Sequence, residues 1–185
     1  MLLIDVILAC DKLGGIGLDG KLPWHIPAEL KLFKRLTKNS VLVVGRTTFD
    51  SLPPLPGRVI YVVTSRQCHA PNVHVVDSFG AAYIDANVRY NEKKIFVAGG
   101  GQLYDTVFEE HARLIQNIHV SVVHGEYECD TWIDSWQIED VLEEQDMANK
   151  ECVNYDEFRY IRYSTAPNPE IESLRVVFLP EKMFE

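Results

Sequence analysis

The chain has 185 residues, of which 46% are hydrophobic and 24% charged, and its formal net charge is −9. This length suits one domain with a sizeable core, because domains of roughly 100 to 150 residues are the commonest. The negative charge disfavours a nucleic-acid partner, and no apolar run approaches the ~20 residues of a membrane span. We therefore expect a globular protein that binds small molecules and has neither a nucleic-acid nor a membrane partner.

The cysteines are few and widely spaced: Cys10, Cys68, Cys129 and Cys152 include no C-x-x-C pair. This pattern predicts no metal site and favours a reducing compartment. The N-terminal apolar run has no basic segment before it and is interrupted by Asp5, so a buried first strand is a better interpretation than a cleaved signal. A cytoplasmic location is the resulting expectation.

Apolar runs separated by helical stretches predict the elements in chain order. Strands are predicted at residues 2–9, 41–44, 59–63, 95–98 and 114–123. Helices are predicted between them, at residues 27–38, 47–51, 78–87 and 101–109. Continuous apolar strands belong in a mostly parallel sheet with helices on both faces. The predicted class is therefore α/β, with three layers.

The pattern changes after residue 130. Polar-alternating segments at 141–147 and 157–163 predict antiparallel strands at one edge, which makes the sheet mixed. Residues 164–185 follow the last predicted strand and contain a proline break and one more apolar run, 174–179. We expect one domain over residues 1–163 and an extension over 164–185, as an added strand or a docking tail.

Glu29 is a carboxylate on the apolar side of the first predicted helix. At ~100° per residue, Leu32, Phe33 and Leu36 lie within ~60° of it, while the basic residues point the other way. An acid in the first turn also complements the helix dipole and can reach outward to water. A buried acid instead needs a partner, and a heterocycle with an amidine-like pair of N–H groups would suit a planar carboxylate.

Two turns have the order strand, glycine, helix: residues 45–48 after one predicted strand and residues 99–102 after another. Each can present helix N-terminal N–H groups to an anion, with glycine allowing close approach. Tyr104 replaces the third glycine of the usual dinucleotide fingerprint, which disfavours a standard NAD-binding fold. Arg46 and the segment Thr64-Ser65-Arg66 are suited to an extra phosphate, which points to NADPH over NADH.

Five motifs in order are similar to the dihydrofolate reductase family. The first motif, GIGLDGKLPW at 15–24 followed by PAEL at 27–30 and FK at 33–34, resembles its flexible active-site loop and first helix. Further matches in order and spacing are VGRTTFDSL at 44–52, PLPGR at 54–58, VAGGG at 97–101 and DT at 130–131. The resemblance covers about residues 1–163 and implies a dihydrofolate-reductase-like fold in a monomer.

The resemblance also implies hydride transfer from NADPH to 7,8-dihydrofolate, and inhibition by antifolates such as methotrexate. Glu29 resembles the acid that hydrogen-bonds the pterin, and Trp24 the indole that helps to hold a nearby water. Ser121 stands in the place of a usual threonine, so we expect function to persist with slightly looser packing. The catalytic residues implied by the resemblance are Glu29, Trp24, Leu22 and Ser121.

The family resemblance assigns the remaining site residues in the same way. Arg58 resembles the arginine that pairs with the glutamyl carboxylate of the substrate. The substrate-binding residues implied are Ile7, Glu29, Leu30, Phe33, Leu52, Leu55, Arg58 and Ser121. The cofactor-binding residues implied are Ala9, Ile16, Gly17, Gly45, Arg46, Thr47, Thr48, Thr64, Ser65, Arg66, Ala98, Gly100, Gly101, Gln102, Leu103 and Tyr104.

Two other functions are compatible with the same fold. A pyrimidine-type reductase of riboflavin synthesis would share the cofactor turns, but it should lack the Leu-Pro-Trp loop and the helix acid, both of which are present. A non-catalytic binding protein could retain the fold and use its extension for attachment. Intact Glu29, Trp24, Arg46 and Arg58 argue against that alternative.

Overall fold

The structure is a computed structural model that describes residues 2–67 and 70–165. Its strands are β1 Ile4–Cys10, β2 Gly15–Gly17, β3 Val41–Gly45, β4 Val59–Val63, β5 Val73–Val76, β6 Ile95–Val97, β7 Ile115–Val123, β8 Thr131–Trp132, β9 Asn149–Asn154 and β10 Phe158–Ser164. Its α-helices are α1 Pro27–Leu36, α2 Arg46–Ser51, α3 Phe79–Arg89, α4 Gly101–Glu110 and α5 Ser135–Glu144.

Eight strands form one sheet in the order β5-β4-β3-β6-β1-β7-β10-β9. The pairings from β5 to β7 are parallel, whereas β10 pairs antiparallel with both β7 and β9. The strands β2 and β8 form a separate antiparallel pair. The predicted α/β class, with a mostly parallel sheet and antiparallel strands at the C-terminal edge, is confirmed.

Helices cover both faces of the sheet. Residues of α3, α4 and α5 pack with Ile4, Val6 and Leu8 of β1 in the larger core cluster, while α1 and α2 pack on the opposite face in two smaller clusters. The central strands are apolar on both faces because both are covered, and Val41 to Val44 are all fully buried. The result is the predicted arrangement of three layers.

One predicted element is wrong. Residues 141–147 are not a strand, because α5 runs through Glu144 and the edge strand β9 begins only at Asn149. The helix buries Ile138 and Val141, three residues apart as a helix requires. A capping box at its start, in which Asp134 N–H donates to Gln137 Oε1 at 3.4 Å, is a helix signal that the sequence contained.

Four strands and one helix had no counterpart among the predicted elements: the short pair β2 and β8, the edge strands β5 and β9, and the helix α5. The predicted extension 164–185 lies, from residue 166 onward, outside the described residues, as does its apolar run 174–179. Within the described residues, no helix is long and apolar enough to cross a membrane.

Candidate active site

An elongated cleft of about 1180 Å³ runs across the carboxyl ends of the parallel strands. It lies at the neighbouring strands β1 and β6, where the order of the strands in the sheet reverses direction relative to the chain; β3 is the next strand beyond β6. Ligands usually bind at such a point in an open α/β sheet. One end is bounded by α1 and by residues 11–26 between β1 and α1, which we call the catalytic loop. The other end is bounded by the glycine turns after β3 and β6. The shape suits a flat group at the first end and an extended anionic group at the second.

Glu29 lines the α1 end of the cleft and is only 8% exposed. Pro27 opens the helix, and the apolar side of the helix then turns Glu29 inward with Leu32, as the sequence predicted. Burial raises the pKa of this carboxyl, and a hydrogen bond with the Ser121 side chain on β7 acts in the opposite direction. A sheltered carboxylate of this kind is suited to a ligand that offers paired N–H donors.

Tyr104 connects the two ends of the cleft. Its hydroxyl donates to the backbone oxygen of Ile7 at 2.8 Å. Burial, with the nearby charge of Glu29 as the next cause, raises its pKa far above the ordinary value for tyrosine. The phenol therefore stays protonated and fixes β1 against α4 beside Glu29.

Most of the residues predicted for the site come together in this one cleft. At the substrate end, the predicted residues that line it are Ile7, Leu22, Glu29, Leu30, Phe33 and Leu52. At the cofactor end they are Ala9, Ile16, Gly17, Gly45, Arg46, Thr47, Thr48, Thr64, Ser65, Ala98, Gly100, Gly101, Gln102, Leu103 and Tyr104. Five predicted residues lie outside the lining: Trp24, Leu55, Arg58, Arg66 and Ser121.

Trp24 packs behind the cleft, edge-on to Tyr127 with ring centroids 5.2 Å apart. Its Nε1 is buried and has no hydrogen-bond partner among the described residues. A buried indole N–H normally has an acceptor, so this atom is available to a polar group held near Glu29. Ser121 is also buried, and its side chain forms the hydrogen bond with Glu29 already described.

Arg58 is 7% exposed and is held by backbone and side-chain acceptors. Its Nη2 donates to Lys34 O at 2.5 Å, its Nε to Thr37 Oγ1 at 3.0 Å and its Nη1 to Pro56 O at 3.2 Å. Burial lowers the pKa of the guanidinium, yet an arginine remains charged in proteins. The three bonds fix the plane of the guanidinium while further N–H donors remain.

The glycine turn after β6 forms a cradle at the start of α4. The helix begins after Gly100 without a side-chain cap, so its first N–H groups remain available to an anion. The space is narrow, since a Cβ on Gly100 would lie 3.2 Å from Thr48 Oγ1 and one on Gly101 would lie 3.1 Å from Thr131 Cγ2. Gly45 N–H donates to Gly99 O at 2.6 Å and joins the two glycine turns.

The outer end of the cleft carries a braced arginine. Arg46 Nε contacts both carboxylate oxygens of Asp50, at 3.0 and 2.8 Å, and its Nη1 donates to Gln67 O at 3.5 Å. Thr64 and Ser65, at the end of β4, line the same end. Arg66 lies just beyond the lining, with its backbone N–H bonded to Thr64 Oγ1 at 3.1 Å.

The catalytic loop is joined to the segment around β8 by contacts that the sequence analysis missed. The buried Asp11 accepts hydrogen bonds from Leu13 and Gly15 N–H through Oδ1, and from Tyr127 N–H through Oδ2, at 2.8 to 3.0 Å. Asp130 N–H donates to Gly17 O at 2.9 Å. The bonds of Asp11 with Tyr127 and of Asp130 with Gly17 join positions more than 100 residues apart, so sequence spacing gave no signal for them.

Several other lining residues were not in the predicted set. They are Leu8, Gly20, Lys21, Ser51, Pro53, Val63, Asp77, Ser78, Phe79, Gly99, Thr106, Asp130 and Thr131. Gly20 and Lys21 lie within the loop motif, and Gly99 within the second glycine turn, so the motifs themselves indicated these positions. Phe79, at the start of α3, reaches the cleft only because α3 packs beside α4.

Comparison with known proteins agrees with this geometry. The profile of the dihydrofolate reductase family matches residues 3–165. The chain is 35% identical over 147 residues to dihydrofolate reductase type 9 of Escherichia coli, covering 73% of this chain and 81% of that protein. It is 31% identical over 168 residues to dihydrofolate reductase of Saccharomyces cerevisiae, covering 79% of each. It is 32% identical over 139 residues to dihydrofolate reductase of Staphylococcus aureus, covering 74% of this chain and 81% of that protein.

The fold, the cleft and these similarities define an oxidoreductase that uses a nicotinamide cofactor. The chain belongs to the dihydrofolate reductase family, and its activity is the reduction of dihydrofolate.

Proposed function

We propose that this reductase uses NADPH, with the dinucleotide along the glycine turns and the pterin against Glu29. The observation that carries the proposal is the continuity of one cleft from a buried carboxylate to a braced arginine. The residues present fit the cofactor: an uncapped helix start faces the cleft beside glycines that a Cβ would crowd. When bound, the nicotinamide supplies the hydride.

The groups of the protein then act by alignment and by exclusion of water. Ile7, Leu30, Phe33 and Leu52 form apolar walls for a flat heterocycle. The glycine-containing loop with Leu22, which is 50% exposed, is placed to close over the reacting atoms. A dry, aligned pair of reactants supplies much of the rate enhancement in such reactions.

Glu29 holds the pterin through paired hydrogen bonds and sets its electronic state. The carboxylate reaches the N–H groups of the ring, so delivery of a proton to N5 proceeds through water rather than from Glu29 directly. The unpartnered Nε1 of Trp24 is suited to orient such a water. Ser121 keeps the carboxylate in place from below.

The substitution Glu29→Gln tests this role. It should lower the rate of NADPH oxidation with dihydrofolate by about 10² to 10⁴ near neutral pH, the usual contribution of such a group. NADPH affinity, measured by fluorescence quenching, should be nearly unchanged, because Glu29 is at the other end of the cleft. Glu92→Gln, an exposed acid outside the cleft, is the matched control. Unchanged turnover in Glu29→Gln would refute the assigned role.

The preference for NADPH rests on Arg46, which we propose faces the extra phosphate. Arg46→Ala should weaken NADPH binding by about 10- to 100-fold, the worth of one charge-assisted contact, and should hardly affect NADH. Arg35→Ala removes the same charge from an exposed position of α1 and serves as control. Equal weakening of both cofactors would show that Arg46 does not read the phosphate.

We also propose that the enzyme acts as a cytoplasmic monomer with its reductase domain in residues 1–163. The described lining residues supply both ends of the cleft, with Glu29 at one end and the glycine turns and Arg46 at the other. Among the described residues, Cys10 and Cys129 are free thiols, as a reducing compartment would keep them. Light scattering on the purified full-length chain tests the monomer, and a dimer mass would contradict it.

A further inference from the structure

A line of buried polar side chains lies on the sheet face beneath α1, behind the substrate end of the cleft. Each is at most 8% exposed, and together they span three strands and one helix. Residues at alternate positions of a strand share a face, which brings these side chains into one row. We call this row the buried polar line; its members are Asn117, Asp5, His119, Tyr160, Ser121 and Glu29.

Hydrogen bonds connect the first four members. Asn117 Nδ2 donates to Asp5 Oδ1 at 2.6 Å, and Asp5 Oδ2 lies 3.4 Å from His119 Nε2. His119 Nδ1 lies 2.7 Å from the hydroxyl oxygen of Tyr160. The Asp5 carboxylate can only accept, so Nε2 of His119 faces it as a donor, while Nδ1 pairs with the Tyr160 hydroxyl. The phenol ring of Tyr160 is thereby fixed in place.

Tyr160 connects this group to the active site. In the antiparallel pairing of β10 with β7 it lies directly opposite Ser121, where Cβ atoms are about 4.5 to 5.5 Å apart. It also belongs to the same apolar cluster as Trp24, Ile26 and Leu32. The ring therefore adjoins both the strand that carries Ser121 and the helix that carries Glu29.

Ser121 needs such a neighbour because of its own chemistry. A branched side chain restricts χ1, whereas serine retains more rotamer freedom and a hydroxyl that can turn to other partners. A hydroxyl that turns to another partner loses the hydrogen bond with Glu29. A rigid ring on the opposite strand limits the rotamers that remain open to it.

We propose that Tyr160, held by His119 and Asp5, is a positioning residue that confines Ser121 to the rotamer that hydrogen-bonds Glu29. The buried polar line thus helps to set the protonation of Glu29 during dihydrofolate reduction. This role rests on the function proposed above for Glu29, and Tyr160, His119 and Asp5 themselves lie outside the lining of the cleft.

The other titratable groups around the line are on four elements and on the loop before β10. β9 and β10 contribute Glu151 and Arg162, whose ion pair of 3.0 Å leaves little net charge, and the loop contributes Tyr155, near Tyr160. α4 contributes Tyr104, near Glu29. The basic side chains of α1 itself are exposed. Because Tyr160→Phe changes no formal charge, it alters the titration of Glu29 through geometry alone.

The test is the pH dependence of single-turnover NADPH oxidation with dihydrofolate by the full-length enzyme. When Ser121 no longer points its hydroxyl at Glu29, the charged carboxylate loses a hydrogen bond and is destabilised. Tyr160→Phe should therefore move the midpoint of the pH–rate profile that is assigned to Glu29 upward by about half a pH unit. His119→Phe should move it in the same direction. A midpoint that does not move in Tyr160→Phe overturns the proposal.

A rescue experiment separates positioning from general destabilisation. The double variant Tyr160→Phe with Ser121→Thr should return the midpoint towards that of the parent, because threonine restricts its own χ1. Tyr163→Phe removes a hydroxyl from the same strand on the opposite face and should leave the midpoint unchanged. Failure of threonine to restore the midpoint, or an equal shift in Tyr163→Phe, would show that Tyr160 does not act through Ser121.

Discussion

Asp130 Oδ2 accepts a hydrogen bond of 2.8 Å from the backbone N–H of Asp19, a residue 111 positions earlier in the chain. The other carboxylate oxygen accepts from the Thr131 hydroxyl at 2.8 Å. These bonds, that with Asp19 first, hold the pKa of Asp130 below its ordinary value. The catalytic loop is therefore attached at its middle to the start of β8, beside the cleft that both segments line.

Removing this attachment should slow the reaction more than it affects folding. Asp130→Ala leaves the Asp19 N–H to water, so the closed loop is populated less, and we expect the single-turnover rate to fall about three- to tenfold. Asp140→Ala, an exposed acid on α5, provides a control of equal charge. An unchanged rate in Asp130→Ala would mean that the other contacts of the loop, such as those of Asp11, suffice to keep the loop closed.

The burial of Glu29 predicts a cost in stability that depends on pH. Its pKa is raised in the folded protein, mainly by desolvation. Stability linked to this group is therefore fully present below the ordinary value of 4.5, falls as the pH rises through the raised pKa, and is constant above it. Glu29→Gln carries no such charge, so the variant should gain stability relative to the parent as the pH rises through that window.

Urea unfolding of the ligand-free protein at several pH values measures this difference. The two proteins should unfold at similar urea concentrations in acid, and the variant should be the more stable near neutral pH. Glu92→Gln, at an exposed position, should show no such divergence. A parent that is more stable than Glu29→Gln at neutral pH would show that Ser121 and other partners outweigh the cost of burial.

Local periodicity was sufficient to predict Glu29 and most of the sheet. The apolar side of α1 placed the acid inward with Leu32, and that side is buried in the structure. The continuous apolar strands β1 and β3 likewise follow from burial on both faces. Such features depend on neighbours within one or two turns, which a sequence displays directly.

One local signal was misread, and features that depend on distant partners were missed. The alternation at 141–147 suggested a strand, but a polar face and the Asp134–Gln137 cap belong to a surface helix. The bonds of Asp11 and Asp130 reach across more than 100 positions. Nothing near Tyr160 in the sequence indicates that it lies opposite Ser121, because register emerges only when the strands pair.

Gly15 and Cys129 provide a test of packing at the base of the catalytic loop. A Cβ on Gly15 would clash with Cys129 Sγ and lie 3.0 Å from Cys129 Cβ, so Gly15→Ala forces a displacement. We expect a loss of about 1 to 3 kcal/mol in the free energy of unfolding, the usual cost of overpacking. Cys129→Gly removes the obstacle, so the double variant should recover part of that loss.

Urea unfolding of the four proteins in this cycle measures the interaction between the two sites. We expect the double variant to lose less free energy of unfolding than the sum of the losses in the two single variants, as relief of a clash requires. Gly80→Ala is a suitable control, because a Cβ there would have no atom within 4 Å. Purely additive effects would mean that the loop accommodates the methyl group by moving elsewhere.

Arg58 predicts a kinetic signature specific to the far end of the substrate. Bonds to Thr37, Pro56 and the backbone oxygen of Lys34 fix its guanidinium in a plane suited to a carboxylate. Lysine keeps the charge but not the fork, so Arg58→Lys should raise the KM for dihydrofolate about tenfold. The kcat should change little, because a contact remote from the reacting atoms binds substrate and transition state alike.

A substrate without the glutamyl tail shows whether this effect comes from recognition. For a 7,8-dihydropterin that lacks the benzoylglutamyl group, the KM of the parent and that of Arg58→Lys should be equal. Lys38→Gln, at an exposed position just after the end of α1, should leave the KM for both substrates unchanged. If Arg58→Lys raised the KM for the truncated pterin as strongly, the arginine would act by supporting Thr37 and the end of α1, and the tail carboxylate would have to bind elsewhere.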